Sequence, residues 1–401
     1  LSADGADQGT TIKIATSIDA IGRSEWDRCA GPTGNPFVGF DFLHALERSA
    51  CVGPRTGWTP LHIVAEQDGT TQGVLMAYAK THSQGEYVFD YGWAEAFENA
   101  GGRYYPKLQV SVPFTPATGP RFLVAPSADR TFVVEALLAG ARAALGSIHG
   151  SSIHATFLNE ADAASFGEAG FLRRTDEQFH WFNDGYATFD DFLAALASRK
   201  RKTIKRERRD AVANAITIER LTGPAITEAA WDAFYAFYMD TGSRKWGRPY
   251  LNRAFYREIA TTMADRIMLV MASRDGRYIA GAINFIGRDA LYGRHWGCLE
   301  HHPFLHFEVC YHQAIEFAIE RGLARVEAGA QGEHKLARGY RPVTTHSAHW
   351  IENAGFRRAV ENYLDRERTQ VAMMHEALAE QAPFRKGEVT TPPRRQREDD
   401  E

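Results

Sequence analysis

The densest set of reactive side chains sits in residues 329–342, GAQGEHKLARGYRP, at the end of the apolar run RVEAGA, which reads as a buried strand. Glu333, His334, Lys335 and Arg338 put an acid, a base and two cations within two helical turns. Glycines after a strand let the backbone approach a ligand closely. Such a cluster can bind a carboxylate or phosphate and handle a proton. A polar surface loop is the competing reading.

Four other stretches carry chemistry-bearing residues. In RKRKTIKRERR, positions 199–209, eight of eleven residues are basic. A helix there would set Arg201, Lys205 and Arg208 on one face, with Ile204, Ala211 and Ala215 packing on the other. Charge-assisted hydrogen bonds from the basic face suit a nucleotide-linked substrate, a coenzyme A pyrophosphate or an RNA backbone. A solvated face would give the same run. Residues 294–312, RHWGCLEHHPFLHFEVCYH, hold His301, His302 and His306 at the turn from a strand into an apolar helix. His302 and His306 are four apart, as helical metal ligands can be, but no HExxH motif or second ligand pair accompanies them. No metal is therefore assigned, and the helix start suits a donor's phosphate instead. Arg244, Lys245 and Trp246, in 237–250, read as a cationic, aromatic loop able to close over a substrate. Trp93, Tyr105, Lys107 and Arg121 lie in a long Gly- and Pro-rich stretch, 89–124, of the kind that forms binding loops.

The elements that must position these residues follow a duplicated order. Residues 61–93 and 267–297 each contain an apolar strand, an Asp-Gly turn (Asp68-Gly69; Asp275-Gly276), a second strand (73–80; 279–286) and a third strand (87–91; 290–296). Asp-Gly is a strong hairpin signal because the turn needs positive φ. An apolar helix follows each meander (131–145; 304–321), then a strand (153–158; 324–328), then a closing strand with a His-Trp pair (His180-Trp181; His349-Trp350). Mixed sheets with helices packed on them, an α/β architecture, are the expected result. The halves are joined by a helical segment over 188–214, further helices are expected over 229–240 and 252–265, and a last helix is predicted over 354–378.

Composition bounds the rest. The chain has 401 residues, enough for two domains, and a net charge of −4, which gives no global signal for DNA or an anionic membrane. Four cysteines without a C-x-x-C pair argue against a zinc ribbon or a disulfide scaffold and suit a cytoplasmic location. No run is long and apolar enough for a membrane span, and residues 1–11 do not read as a signal peptide. Residues 1–10 and 384–401 are expected to be disordered by composition.

Several long runs also resemble a known family: NPFVGFDFLHALE (35–47), GWTPLHIVAE (57–66), QGEYVFDYGWAEAF (84–97), SRKRKTIKRERR (198–209), FYMDTGSRKWGRPYL (237–251) and EAGAQGEHKLARGY (327–340). They are similar to bacterial N-acyltransferases labelled peptidoglycan biosynthesis/recognition proteins, in the FemAB-like branch of the GNAT (acetyltransferase-like) superfamily. The resemblance implies tandem GNAT-like domains, here 11–185 and 186–383. It also implies transfer of an acyl or aminoacyl group from an activated donor to an amine, as relatives move an amino acid from aminoacyl-tRNA to a cell-wall peptide. Lys335 and Gly339 match the family's Lys-x-x-x-Gly, with His334 in place of the usual Phe. Lys335 is then expected as substrate anchor or electrostatic stabiliser, with Glu333 or His334 as proton acceptor. Acyl-CoA or aminoacyl-tRNA is the expected co-substrate, with no tightly bound cofactor. The pyrophosphate-binding turn of acyl-CoA enzymes is absent near 298–306. The reading further expects an open gap between two central parallel strands, facing Lys335. The alternative on the same scaffold is a non-catalytic protein that recognises a peptidoglycan precursor or nucleotide sugar.

Overall fold

The computed structural model describes residues 9–32, 34–246, 249–329 and 333–385. Its strands are β1 (Thr11–Ala15), β2 (Trp58–Pro60), β3 (His62–Gln67), β4 (Thr70–Leu75), β5 (Tyr78–Lys80), β6 (Lys107–Val110), β7 (Phe122–Val124), β8 (Ser152–Leu158), β9 (Leu172–Phe182), β10 (Thr217–Thr222), β11 (Ile267–Arg274), β12 (Arg277–Ile286), β13 (Ala290–Cys298), β14 (Arg325–Glu327) and β15 (Arg341–Ile351). Both Asp-Gly pairs make hairpin turns with two positive φ values, 52° and 77° at Asp68-Gly69 and 51° and 72° at Asp275-Gly276.

A small sheet runs β1-β3-β4-β7, and an eleven-stranded sheet runs β10-β11-β12-β13-β14-β9-β15-β8-β6-β5-β2. Among the described strands, β13–β14 and β6–β8 alone pair parallel; these are equivalent strands of the two halves. The closing strands are exchanged. β9, from the first half, pairs with β14 of the second, and β15, from the second, pairs with β8 of the first. β9 and β15 also pair with each other, so one sheet passes through both halves. An aromatic core crosses the same boundary, with Phe37 5.0 Å from Phe285 and 5.2 Å from Tyr292, and Phe42 5.6 Å from Phe255.

Four sequence expectations change. The third strand of the first meander is not at 87–91. Residues 83–106 form a loop and the helix Tyr91–Asn99, and the third strand is β6. The joining segment is two helices, Phe189–Ala195 and Ser198–Ala211, broken where Leu196 turns extended. Ala215 lies beyond the second in an exposed turn with φ 57°, so it does not pack, whereas Ile204 and Ala211 do. Residues Arg244, Lys245 and Trp246 lie in the last turn of the helix Glu228–Trp246 and not in a loop. The last helix, Ala354–Glu380, is capped by Asn353, whose side chain accepts from the Phe356 amide.

Candidate acyl-transfer site in the second half

β13 and β14 pair only from Ala290 to Tyr292. β14 then ends at Glu327, while β13 runs on to Cys298 against β12. β9, on the far side of β14, also runs past that end, from His180 back through Gln178, Glu177 and Asp176. The short central strand therefore leaves a gap banked by Gly293–Trp296 on one side and Asp176–Gln178 on the other. A cavity of about 140 Å³ opens there, lined by Gly293, Arg294, His295, Trp296, Ala328, Cys310 and Tyr311. It shares Arg294, His295, Trp296 and His306 with a cavity of about 740 Å³ between the halves, which is walled by Tyr87, Phe89, Tyr91, Asp176, Glu177, Gln178, Tyr238 and Tyr250. A third, of about 150 Å³, continues from Trp296 and His306 to Arg244, His301 and His302.

The first half has the same parallel pair but a closed gap. β6 leaves β8 after Val110, and the chain returns at Gly119, whose amide donates to the Phe157 carbonyl at 3.1 Å. Arg121 fills the space. It is fully buried, and its guanidinium donates to the carbonyls of Thr156 and Ala117, each at 3.0 Å. Only the second half keeps an opening at this place.

Lys335 lines none of these three cavities but is tied to the rim of the opening through Gly329, the residue after the cavity-lining Ala328. It lies in the short 3₁₀ helix Glu333–Arg338, is 1% exposed, and donates to the Gly329 carbonyl at 2.9 Å. Among the described residues it has no carboxylate partner. Burial pushes its amine down to about 7, against a small opposing effect of Cys310 in the gap wall. Gly339 closes the turn with φ 87°; a Cβ there would lie 2.7 Å from the Phe192 ring. The lysine and glycine of the motif thus have separate reasons, one electrostatic and one steric.

Arg338 braces this turn. It is 5% exposed, donates to both carboxylate oxygens of Glu207 at 2.9 Å and to the His334 carbonyl at 2.8 Å, and stacks 3.3 Å over Phe307. The Tyr311 hydroxyl, at the gap, lies 2.8 Å from His334 Nε2. Burial, then Lys335 and Arg338, lower the His334 pKa, so its neutral ring can accept from that hydroxyl. A π-helical segment, Glu308–His312, carries Tyr311 and Cys310. Such segments recur at functional sites.

The other expected residues divide. His301, His302, His306 and Arg244 come together around the third cavity, where Glu300 takes His302 at 3.0 Å and Arg274 at 2.9 Å. Helix formation begins only at Leu305, after Phe304. Arg208 turns inward, donating to Glu308 at 2.9 Å and Glu316 at 2.7 Å, and does not share a free face with Arg201 and Lys205. Lys205 pairs with Asp190 at 3.1 Å on the surface, and Arg201 is half-buried. Lys107 is fully buried and bonded to Ser83, Glu86 and Asp90. The Tyr105 hydroxyl lies 2.8 Å from that of Ser83, and Trp93 packs edge-on against His349 at 4.9 Å. None of these three lines the large cavity, nor does Arg121. The side chains of Lys245, Trp246 and Glu333 lie outside the described residues. Sequence reasoning missed Arg294, His295, Trp296, Asp176, Tyr238 and Tyr87. The residues around Arg294 were visible only as a histidine-rich run, and Asp176 carried no signal.

Two related α/β halves, each with one parallel strand pair that parts after a few residues, define a tandem acetyltransferase-like fold. The comparisons agree. FemX superposes with a TM-score of 0.53 at 13% identity, covering 88% of this chain and 100% of that one. The C-terminal domain of a candidate lysylphosphatidylglycerol synthetase from Agrobacterium fabrum gives 0.50 at 11%, covering 86% and 96%. No curated protein matches the chain. The family model for FemAB-like proteins of peptidoglycan biosynthesis/recognition matches residues 17–386, and the chain belongs to that family. No described helix is long and apolar enough to cross a membrane.

Proposed function

We propose that the protein is an N-acyltransferase that moves an acyl or aminoacyl group from an activated donor to an amine held in the central cavity. The observation that carries this reading is the gap where β13 outruns β14, its rim tied to a buried lysine that has no carboxylate partner among the described residues. The donor carbonyl would enter the gap, and the amine would approach from the cavity of about 740 Å³. Attack forms the C–N bond and places negative charge on the carbonyl oxygen. The Lys335 ammonium, poorly solvated and short of a counter-ion, supplies the matching positive charge. The amine's proton passes to Tyr311 as the Tyr311 hydroxyl gives its own to His334. The C–O or C–S bond to the donor then breaks, and the leaving group takes up a proton. Alignment of the two reactants across the gap provides much of the rate.

Aminoacyl-tRNA is the favoured donor. The helix Ser198–Ala211 packs against the turn that carries Lys335, and its outer side exposes Arg199, Lys200, Lys202, Lys205, Arg206 and Arg209. Phosphates along an RNA suit that surface. The carboxylate of Glu300 sits in the third cavity, where a coenzyme pyrophosphate would otherwise lie. Both donors belong to the cytoplasm, where we place the reaction. The test is binding of aminoacyl-tRNA and of acyl-CoA to the full chain at several salt concentrations. Aminoacyl-tRNA is expected to bind, with affinity falling steadily as salt rises. Preference for acyl-CoA would overturn the donor assignment, and no binding of either would overturn the transferase reading.

A further inference from the structure

Arg294 is the charged group of the gap that the transfer chemistry leaves unused. It sits on β13 two residues past the last pair with β14, and it lines both the gap and the large cavity. One guanidinium nitrogen donates to the Phe114 carbonyl at 2.5 Å, and the Tyr87 hydroxyl is a second polar neighbour. Among the described residues it makes no ion pair. Glu327, the carboxylate on the neighbouring strand, is bonded instead to Arg325 at 2.9 Å. A cation drawn from water without a counter-ion is costly unless a ligand supplies one.

The opposite bank has the opposite sign. Asp176 lines the cavity from β9, across the space that β14 vacates, while the carboxylate of its neighbour Glu177 pairs with His375 at 3.2 Å. Between the banks, Tyr87, Tyr91, Tyr238 and Trp296 present aromatic surface.

We infer that Arg294 anchors a carboxylate of the acceptor, so that the protein acts on amines that carry a carboxylate on an apolar or aromatic body. This rests on the transferase reading. The planar fork of a guanidinium with one nitrogen already committed matches a planar carboxylate through its remaining donors. A phosphate dianion is disfavoured, because only one guanidinium without an ion pair faces it while the Asp176 carboxylate stands on the far bank. Asp176 then favours the amine end of the same molecule.

The experiment uses fragments of each class with the full chain: phenylacetate, phenyl phosphate and phenethylamine, with affinities read by calorimetry or ligand-observed NMR. Phenylacetate is expected to bind more tightly than phenyl phosphate. Arg294→Met should weaken phenylacetate by at least about tenfold and leave phenethylamine within about twofold. Arg294→Lys, which keeps the charge but not the fork, should fall between, and it serves if the Met variant does not fold. Equal phenylacetate binding by the wild type and both variants would overturn the assignment, as would tighter binding of phenyl phosphate. These readings need no acyl donor. A failed anchor is therefore distinguishable from a failed transferase, which would show as no transfer despite intact phenylacetate binding.

Discussion

Lys335 Nζ lies 2.9 Å from the carbonyl oxygen of Gly329, in a turn that leaves the lysine 1% exposed. A carbonyl offers a dipole and no charge, so the ammonium is held at a cost. That cost sets two expectations for this residue.

The first concerns stability. Burial lowers the native pKa to about 7, below the unfolded value of about 10.4. The unfolded chain therefore binds more protons across the window between those values, and the lysine's penalty is full below pH 7 and fades as pH rises through the window. Lys335→Met is expected to raise stability by about 1–4 kcal/mol near neutral pH, read by chemical denaturation. The advantage should shrink toward pH 10. A destabilised variant would mean that the ammonium is satisfied in the native state.

The second concerns rate. If the charged form stabilises the oxyanion, kcat/KM should fall with rising pH above about 7. A rise over the same range would make Lys335 a base instead. The pH profile of kcat/KM on a single amine acceptor separates the two.

Lys107 and Asp90 form the shortest buried ion pair of the first half among the described residues. The ammonium donates to Asp90 at 2.5 Å, Glu86 at 2.7 Å and Ser83 at 2.8 Å, all on the loop that carries Tyr87, Phe89 and Tyr91 to the large cavity. Burial works against the charge, but the two carboxylates outweigh it and hold the lysine above its ordinary value. Lys107→Met should cost about 3–5 kcal/mol, because it strands the buried Asp90 and leaves Glu86 with only the more distant Lys80, at 3.7 Å. Equilibrium denaturation checks this. A loss under 1 kcal/mol would contradict the view that this cluster fixes the cavity wall.

Arg338 and Glu207 join the turn of Lys335 to the basic helix through two bonds of 2.9 Å. A double-mutant cycle with Arg338→Met and Glu207→Gln should give a coupling of about 1–3 kcal/mol. Each single variant should also slow transfer, since Lys335 loses its brace. Additive effects on stability would mean that the pair is incidental.

Much of this could be read from the residues. The Asp-Gly turns, the apolar helices and both His-Trp strands follow from periodicity and turn chemistry; Lys335 stood out by type, and Gly339 only through the family resemblance. The strand exchange could not be read, because β9 and β15 carry the same pattern and either partner satisfies it. The loop and helix at 83–106 displaced a strand that alternation alone placed at 87–91. Within the basic run, Glu207 and Arg208 face inward because carboxylates and an arginine from distant segments meet them there. Arg294 gained meaning only from the early end of β14, which is a tertiary fact.

The most direct test is acyl transfer by the full chain from aminoacyl-tRNA and from acyl-CoA to a panel of carboxylate-bearing amines, measured side by side for the wild type and Lys335→Met. The account predicts amide formation by the wild type and a loss of about a hundredfold or more in the variant, which should remain folded. Transfer by Lys335→Met at the wild-type rate would contradict it.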